Sequence, residues 1–557
     1  EVDAVGNGEA AFRTSAAEMT SFLAFAAAFA AAGTSSSRPL PEAVVVTHGI
    51  HACVDGDLAE GWSMSWLPGV LRSLALQYPH LKIRHVDLPA TAANASSRSK
   101  PTRDFVKLLR VDDGVGHTEP EVCLRDGKLF APRLEAGRTL PVRPSGERCL
   151  LHGQISPRAT YVVTGGTGGI GLDLALRFAR AGAGGLVLLS RSGKGFLEGL
   201  KADSPRGRAW SSLASISGTK VQVLTCDVTS ADDVSNALAA AASAESGLPP
   251  VRGIVHAACP PQATGDEGDG SPRGEKSGVA PGFLEAKVAG ALNLSASASS
   301  MGLELDFLVF FSSAAAVLGL SGEPGYAAAN GCLDGLAWHL KRSCGWKVLS
   351  VQYGPWVQAG TAVDRKGAVD ALRTLGHLGV SNDEGFSALA ALIGDASSTS
   401  PDVATSPVSA VMPMDWERYA SVFPGVPPLL VPLLSAAAIE GARRGGKGPV
   451  LSRDETVEVL LEAARQVTGW DGELGESDSL KEQVGMDSLQ AVEFRRIICT
   501  QLGRQSIPTT LAYDCPTAGK MADELLRTSP PSASVPSKPV PSAKSTDRAA
   551  ETTSSSS

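Results

Sequence analysis

Apolar residues recur along the chain in two periods, and the switches between them divide it into blocks. From Pro39 to Gly153 the runs are short and strand-like: AVVVTHG at Ala43–Gly49, LKIRHVDL at Leu81–Leu88 and EVCLRDGKLFAPRL at Glu121–Leu134. The last alternates apolar and polar positions about Asp126-Gly127, a pair suited to a tight turn, and so predicts a β-hairpin. From Thr160 to about Leu434 apolar strands alternate with helical patterns, as a parallel α/β sheet requires. Gly441–Pro449 (GARRGGKGP) has the composition of a linker. Leu451–Leu526 reads as compact and helical, with Val457, Leu460, Leu461, Ala464 and Val467 on one face of an amphipathic helix. Arg527–Ser557 is rich in Ser, Pro and Thr, has no aromatic residue, and is expected to be disordered. The predicted organisation is a linker remnant (1–38), a first α/β block (39–153), a larger one (154–434), a linker (435–450), a helical block (451–527) and a tail (528–557).

Composition narrows the class. Of 557 residues, 43% are hydrophobic and 19% charged, a balance that supports folded domains, roughly three or four at this length. A net charge of −8 argues against a nucleic-acid footprint, which needs a basic stripe. The nine cysteines are scattered singly with no C-x-x-C. They signal neither a metal site nor a redox pair and suit a reducing compartment, cytoplasm or organelle. The Ala-rich run Phe22–Ala32 is shorter than the ~20 residues of a bilayer span and has no basic leader, so neither a membrane span nor a signal peptide is expected. The chain begins at Glu1 and is expected to be a fragment of something longer.

YVVTGGTGGIG, Tyr161–Gly171, joins a β-run directly to glycines and then to a helical pattern at Leu172, Leu174, Ala175 and Phe178. Glycine lets a backbone approach a pyrophosphate, and the helix start offers N–H donors and positive dipole. Thr164, Gly165, Thr167, Gly168, Gly169, Ile170 and Gly171 are therefore candidate dinucleotide contacts. The spacing Gly165-x3-Gly169-x-Gly171 is similar to that of short-chain dehydrogenases. The next strand, GLVLLSRSG, ends in Ser190 and Arg191 where an NAD enzyme keeps a carboxylate. An arginine there suits a ribose 2′-phosphate, which predicts NADPH. Asp227 and Val228 close a further strand, where such folds contact adenine. Cys259 ends VHAAC where the resemblance leads one to expect glycine.

In FLVFFSSAAAVLGLSGEPGYAAAN, Phe307–Asn330, a strand ends at Ser312-Ser313, and Tyr326 and Asn330 lie four apart on one helix face. Ordinary short-chain dehydrogenases have Y-x-x-x-K. Here the lysine, Lys287 in FLEAKVAGALNL, stands upstream, where those enzymes keep their asparagine. With that exchange, Pro39–Leu434 resembles the ketoreductase of type I polyketide synthases. The resemblance implies two Rossmann-like subdomains: 39–153, truncated and structural, without a glycine loop or cofactor, and 154–434, catalytic. VLSVQYGPW and MDWERY match later landmarks of that family. It further implies that Tyr326 donates a proton to a ketone oxygen, that Lys287 lowers the tyrosine's pKa by its charge, that Ser313 hydrogen-bonds the carbonyl while Ser312 is structural, and that Asn330 orders the relay. The loop Pro260–Ala280 has no Leu-Asp-Asp, Leu318 stands where a tryptophan marks one alcohol configuration, and Glu323 replaces a frequent glutamine. No stereochemistry follows.

By local pattern alone, Asp487 or Ser488 of VGMDSLQAVEF is a helix N-cap. With ESDSL before it and IPTTLAYDCPT after, the block resembles a helical acyl carrier protein, and GMDSL its attachment motif. Ser488 then takes 4′-phosphopantetheine from a separate phosphopantetheinyl transferase, and the arm's thiol holds the acyl chain. Acidic Glu482, Asp487 and Glu493 either face partner enzymes or are simply solvated. The expected reaction is NADPH-dependent reduction of a carrier-tethered 3-oxoacyl thioester to the 3-hydroxyacyl thioester, downstream of ketosynthase and acyltransferase domains. A type I fatty acid synthase segment fits the same order. A carrier module with an inactive ketoreductase scaffold, favoured by Cys259 and Glu323, is the alternative from another class.

Overall fold

A computed structural model of the chain describes residues 17–26, 43–54, 57, 61–78, 81–90, 119–137, 151, 153–260, 281–360, 363, 369, 372–373, 375–396, 406–421, 423, 426–444, 451–486, 488–502, 507 and 511–527. The strands are β1 (Ala43–His48), β2 (Ile83–Leu88), β3 (Glu121–Arg125), β4 (Lys128–Phe130), β5 (Thr160–Thr164), β6 (Gly185–Ser190), β7 (Lys220–Thr225), β8 (Val251–His256), β9 (Phe307–Ser313), β10 (Val348–Tyr353) and β11 (Val408–Val411). The helices used below are α1 (Trp66–Gln77), α2 (Gly169–Arg180), α3 (Gly290–Ser300), α4 (Pro324–Cys344), α5 (Arg453–Thr468), α6 (Ser488–Gln501) and α7 (Ala518–Arg527).

The larger sheet has seven strands in the order β11-β10-β9-β8-β5-β6-β7, every neighbouring pair parallel. All five residues of β5 are buried, as expected of a parallel sheet covered on both faces. Alternation along the strands sends Val162, Val187, Ile254 and Phe310 into one apolar core, and Tyr161, Leu186, Val255 and Phe311 into the other. The chain order reverses at β5, with β6 on one side and β8 on the other. Such a switch point leaves a crevice at the carboxyl ends of the strands.

The smaller sheet runs β1-β2-β3-β4. Its first three strands are parallel and β4 returns antiparallel to β3. The expected turn is there: Asp126 and Gly127 have φ of 50° and 73°, the left-handed pair that a two-residue hairpin favours. Helix α1 crosses from this half to the larger one and lies against α4. The approach is so close that a Cβ on Gly69 would come within 2.9 Å of the Ala327 carbonyl oxygen, and one on Gly331 within 2.6 Å of the Ser65 carbonyl oxygen.

Three features differ from the sequence reading. Residues 17–26 are helical and bury Met19, Leu23 and Ala26 in the main core, with the Phe22 ring 5.8 Å from that of Trp66. Apolar packing makes this stretch part of the domain rather than a linker remnant. Helix Ala436–Arg444 takes in the first four residues of the glycine-rich stretch expected to be a linker. Cys53 and Cys123, 70 residues apart, form a disulfide, a pairing that the scattered cysteine spacing did not signal. Their sequence separation conceals a contact between the loop after β1 and strand β3. The expected tail 528–557 and most of the 260–280 loop lie outside the described residues.

The C-terminal block is a separate helical unit. Ser452 and Glu455 close a capping box at the start of α5, which satisfies two otherwise unpaired donors. Leu460 and Ala464 of α5, Phe494 and Ile498 of α6, and Met521 of α7 form its core.

Candidate functional site

The turn after β5 is built for a backbone–ligand approach. Gly165 has φ +65°, and a Cβ there would meet the Ala257 carbonyl oxygen at 3.0 Å, so an L side chain is excluded on both counts. Helix α2 begins just beyond, with Gly168 extended at its N-cap and no side-chain cap on its first N–H groups. Uncapped donors at a helix start form an anion site. A cleft of about 1990 Å³ opens over this turn. Gly165, Thr167, Gly168, Gly169, Ile170 and Gly171 line it, together with Ser190, Arg191, Asp227 and Val228.

Thr164 is the exception among the expected cofactor contacts. It is buried, its Oγ1 lies 2.8 Å from His256 Nδ1, and it accepts from the Ala257 and Ala258 amides at 3.2 Å. It fastens β5 to the end of β8 instead of facing the cleft. Arg191 is exposed at the rim. Arg206, which the sequence reading passed over, lines the same cleft and stacks 5.5 Å over the Phe196 ring. No motif spacing marks it, because helix packing alone brings it across.

The cleft also reaches Lys287, Ser313 and Tyr326. Ser313 ends β9 and caps the short helix Ala314–Leu318, accepting from the Ala315 amide at 3.2 Å. That use of its lone pair leaves the O–H free to donate. Ser312, by contrast, points inward and donates to the Asn330 carbonyl oxygen at 3.3 Å. Lys287 sits in a single π-helical turn, Glu285–Ala289, ahead of α3, a local irregularity often found at functional sites. Its ammonium donates to the Phe311 carbonyl oxygen at 2.8 Å and lies 5.8 Å from the centre of the Tyr326 ring.

These contacts correct one expectation. Burial pushes the Tyr326 phenol above its ordinary 10.0, and the Cys259 thiol and Glu323 add to the rise, while hydrogen bonding with Ser313 opposes it. The Lys287 ammonium, 5.8 Å from the ring centre, does not bring the phenol below its ordinary value. Burial in turn lowers the Lys287 pKa, with Cys259 and Asp334 pulling it back. Asn330 is fully buried outside the cleft, donates to the Tyr326 carbonyl oxygen at 2.8 Å, and leaves its Oδ1 without a hydrogen bond.

Two supporting residues carry no sequence motif. His256, held below its ordinary 6.5 at about 4 by burial and by the Lys287 charge, places its Nε2 2.9 Å from the Lys287 carbonyl oxygen. It bolts the π turn to β8. Asp334, on α4, accepts from Ser350 Oγ at 2.6 Å and Gln352 Nε2 at 2.7 Å. Ser488 opens α6 in the separate helical block.

A dinucleotide-type turn and a Lys–Ser–Tyr group in one cleft, with a helical block after it in the chain, define a reductase of the short-chain dehydrogenase kind coupled to a carrier. A family model described as "KR domain" matches residues 159–358, and one described as "Phosphopantetheine attachment site" matches 458–525. The chain is 30% identical over 475 residues to the polyketide synthase GfsA of Streptomyces halstedii, covering 82% of this chain and 6% of that one. It is 29% identical over 497 residues to the erythronolide synthase EryA3 of Saccharopolyspora erythraea, 86% of this chain and 14% of the relative. An A1-type ketoreductase structure superposes with a TM-score of 0.53 at 29% identity, over 72% of this chain and 75% of the other. The first ketoreductase of the tylosin synthase gives 0.52 at 25%, over 73% and 76%. The chain thus carries a ketoreductase domain of the type I polyketide synthase family followed by an acyl carrier domain, and it spans only a small part of those relatives' length. Among the described residues, no helix is long and apolar enough to cross a membrane.

Proposed function

We propose that the cleft reduces a 3-oxoacyl thioester, carried on phosphopantetheine at Ser488, to the 3-hydroxyacyl thioester with NADPH. The observation that carries this reading is the meeting, in one cleft, of the Gly165–Gly171 cradle with Lys287, Ser313 and Tyr326. The cradle fits the cofactor, because a Cβ at Gly165 would close it and the α2 amides are uncapped. Bound there, NADPH supplies the hydride. Arg191 and Arg206 are the cations that would hold its 2′-phosphate, and Asp227 and Val228 flank the adenine end.

Tyr326, protonated by a wide margin at neutral pH, gives its proton to the ketone oxygen. Ser313 donates a hydrogen bond to the same oxygen and orients it. Lys287 places positive charge beside the oxygen as it becomes an alkoxide, a preorganised electrostatic contribution. Asn330 holds the turn of α4 that carries Tyr326. In the carrier, the N-terminus of α6 suits the phosphate left on Ser488, which a phosphopantetheinyl transferase would install. Ketosynthase and acyltransferase domains upstream would supply the substrate. The test follows NADPH oxidation with a 3-oxoacyl thioester presented on the loaded carrier. Tyr326→Phe keeps the ring and is expected to cut turnover about 10²–10⁴-fold with NADPH binding retained. Undiminished turnover in that variant, or none in the wild type, refutes the assignment.

A further inference from the structure

One face of the smaller sheet is polar and buried, yet the reduction makes no use of it. The registers pair Thr47 with Asp87, His85 with Glu121 and Asp87 with Cys123, so their side chains share a face by strand alternation. His85 and Asp87 are 0% exposed. Buried polar groups cost stability unless they are partnered, and most here are. Thr47 Oγ1 donates to Asp87 Oδ1 at 2.7 Å and Arg125 Nη2 to Asp87 Oδ2 at 2.7 Å. Arg72 donates twice to Glu121, at 2.7 and 2.6 Å.

His85 is the exception. Its Nε2 lies 2.8 Å from Thr47 Oγ1. That hydroxyl gives its own proton to Asp87 and so accepts from Nε2–H. The tautomer is thereby fixed with the lone pair on Nδ1, and Nδ1 is buried with no hydrogen-bond partner. The His51 ring centre is 5.6 Å from that of His85. Donor atoms of His51, His85 and Glu121 all lie within 4.8 Å of one another.

We propose that His51, His85 and Glu121 form a site for a divalent transition ion of the zinc class, in the half of the ketoreductase that the sequence marks as purely structural. Two imidazoles and a carboxylate are a three-ligand zinc set with an open fourth position, and imidazole disfavours magnesium and calcium. Bonds of about 2.1 Å place tetrahedral ligand atoms about 3.4 Å apart, a closure within reach of side-chain rotation. Asp87 acting through Thr47 is the outer carboxylate that fixes a ligating histidine. Arg72 uses one acceptor site on each Glu121 oxygen and leaves a second. His51 is partly exposed and offers the entry route. The Cys53–Cys123 disulfide, two residues from His51 and two from Glu121, ties these ligands together. Arg72 and Arg125 oppose a cation, so the affinity is expected below that of all-cysteine structural zinc sites.

The test uses the full chain stripped with a chelator and titrated with zinc or cobalt chloride. Bound metal is measured by mass spectrometry and cobalt ligation by its visible spectrum. One ion per chain is expected, with a cobalt spectrum lacking thiolate charge transfer. His51→Ala, at a partly exposed position, is expected to weaken zinc at least about 100-fold, and Thr47→Val roughly 10- to 100-fold. Circular dichroism checks that both variants fold, and Glu121→Gln serves as a second ligand variant should one of them not. Three results overturn the site: no zinc bound by the wild type, equal affinity in every folded ligand variant, or a thiolate-dominated cobalt spectrum.

Discussion

Replacing Asp334 by Asn tests the electrostatics beneath the reductase site. The carboxyl group accepts from Ser350 Oγ at 2.6 Å and Gln352 Nε2 at 2.7 Å. Burial nevertheless raises its pKa from 3.8 to about 6, against the pull of those two bonds, of Ser312 and of the Lys287 charge. A carboxyl with a higher pKa folded than unfolded binds its proton more tightly in the folded state. Its stabilisation is therefore complete below pH 3.8 and is lost as pH rises to about 6. At 1.36 kcal/mol per pKa unit the loss is about 3 kcal/mol, an upper bound because solvent reaches part of the group. Asparagine keeps both bonds: its oxygen accepts from Gln352, and its amide donates to the Ser350 hydroxyl, which turns. Asp334→Asn is accordingly expected to stabilise the chain by about 1–3 kcal/mol at pH 7 and to match the wild type near pH 4. Urea unfolding followed by tryptophan fluorescence at several pH values gives the difference curve. A less stable variant at pH 7, or a pH-independent difference, refutes the reasoning. Because Asp334 also supports the charge on Lys287, the same variant is expected to reduce ketones more slowly, trading activity for stability.

Arg191→Ala is expected to lower kcat/KM for NADPH roughly 10- to 150-fold, from 1.5–3 kcal/mol per charged hydrogen bond. NADH would change little and the loss would shrink with salt; equal losses for both cofactors would mean that Arg191 supports the fold instead. Ser488→Ala is expected to abolish the single mass addition seen when the chain is co-expressed with a broad phosphopantetheinyl transferase, and an arm on the alanine variant would move the attachment site. Gly331→Ala drives a methyl to 2.6 Å from the Ser65 carbonyl oxygen and is expected to cost about 1–3 kcal/mol, read as a fall in Tm; an unchanged Tm would show that α1 and α4 can part freely.

The residues that gather at the cleft were legible in sequence where chemistry forces a local pattern. A strand feeding Gly165–Gly171, and Tyr326 four residues before Asn330, are arrangements that few other functions require. What stayed hidden depends on contacts between distant strands. Asp334 has meaning only once β10 brings Ser350 and Gln352 to it, and His256 only once the π turn presents the Lys287 carbonyl. The shared buried face of Thr47, His85, Asp87 and Glu121 was not legible, because periodicity cannot say which face α1 and the loop bearing His51 will cover. Lys287 was legible as a residue, whereas the burial that raises the Tyr326 phenol depends on packing that one dimension does not show.

Recombination between synthase genes has to respect the place where α1 meets α4. The backbones at Gly69 with Ala327, and at Gly331 with Ser65, touch without side chains between them, so a foreign partner helix bearing even one extra methyl there would be held away. The helix that presents Tyr326 thus has one wall made by residues encoded some 260 positions earlier. A crossover placed between the two sheets would join halves with mismatched walls, whereas one placed ahead of residue 17 or beyond Arg444 would carry the matched pair intact.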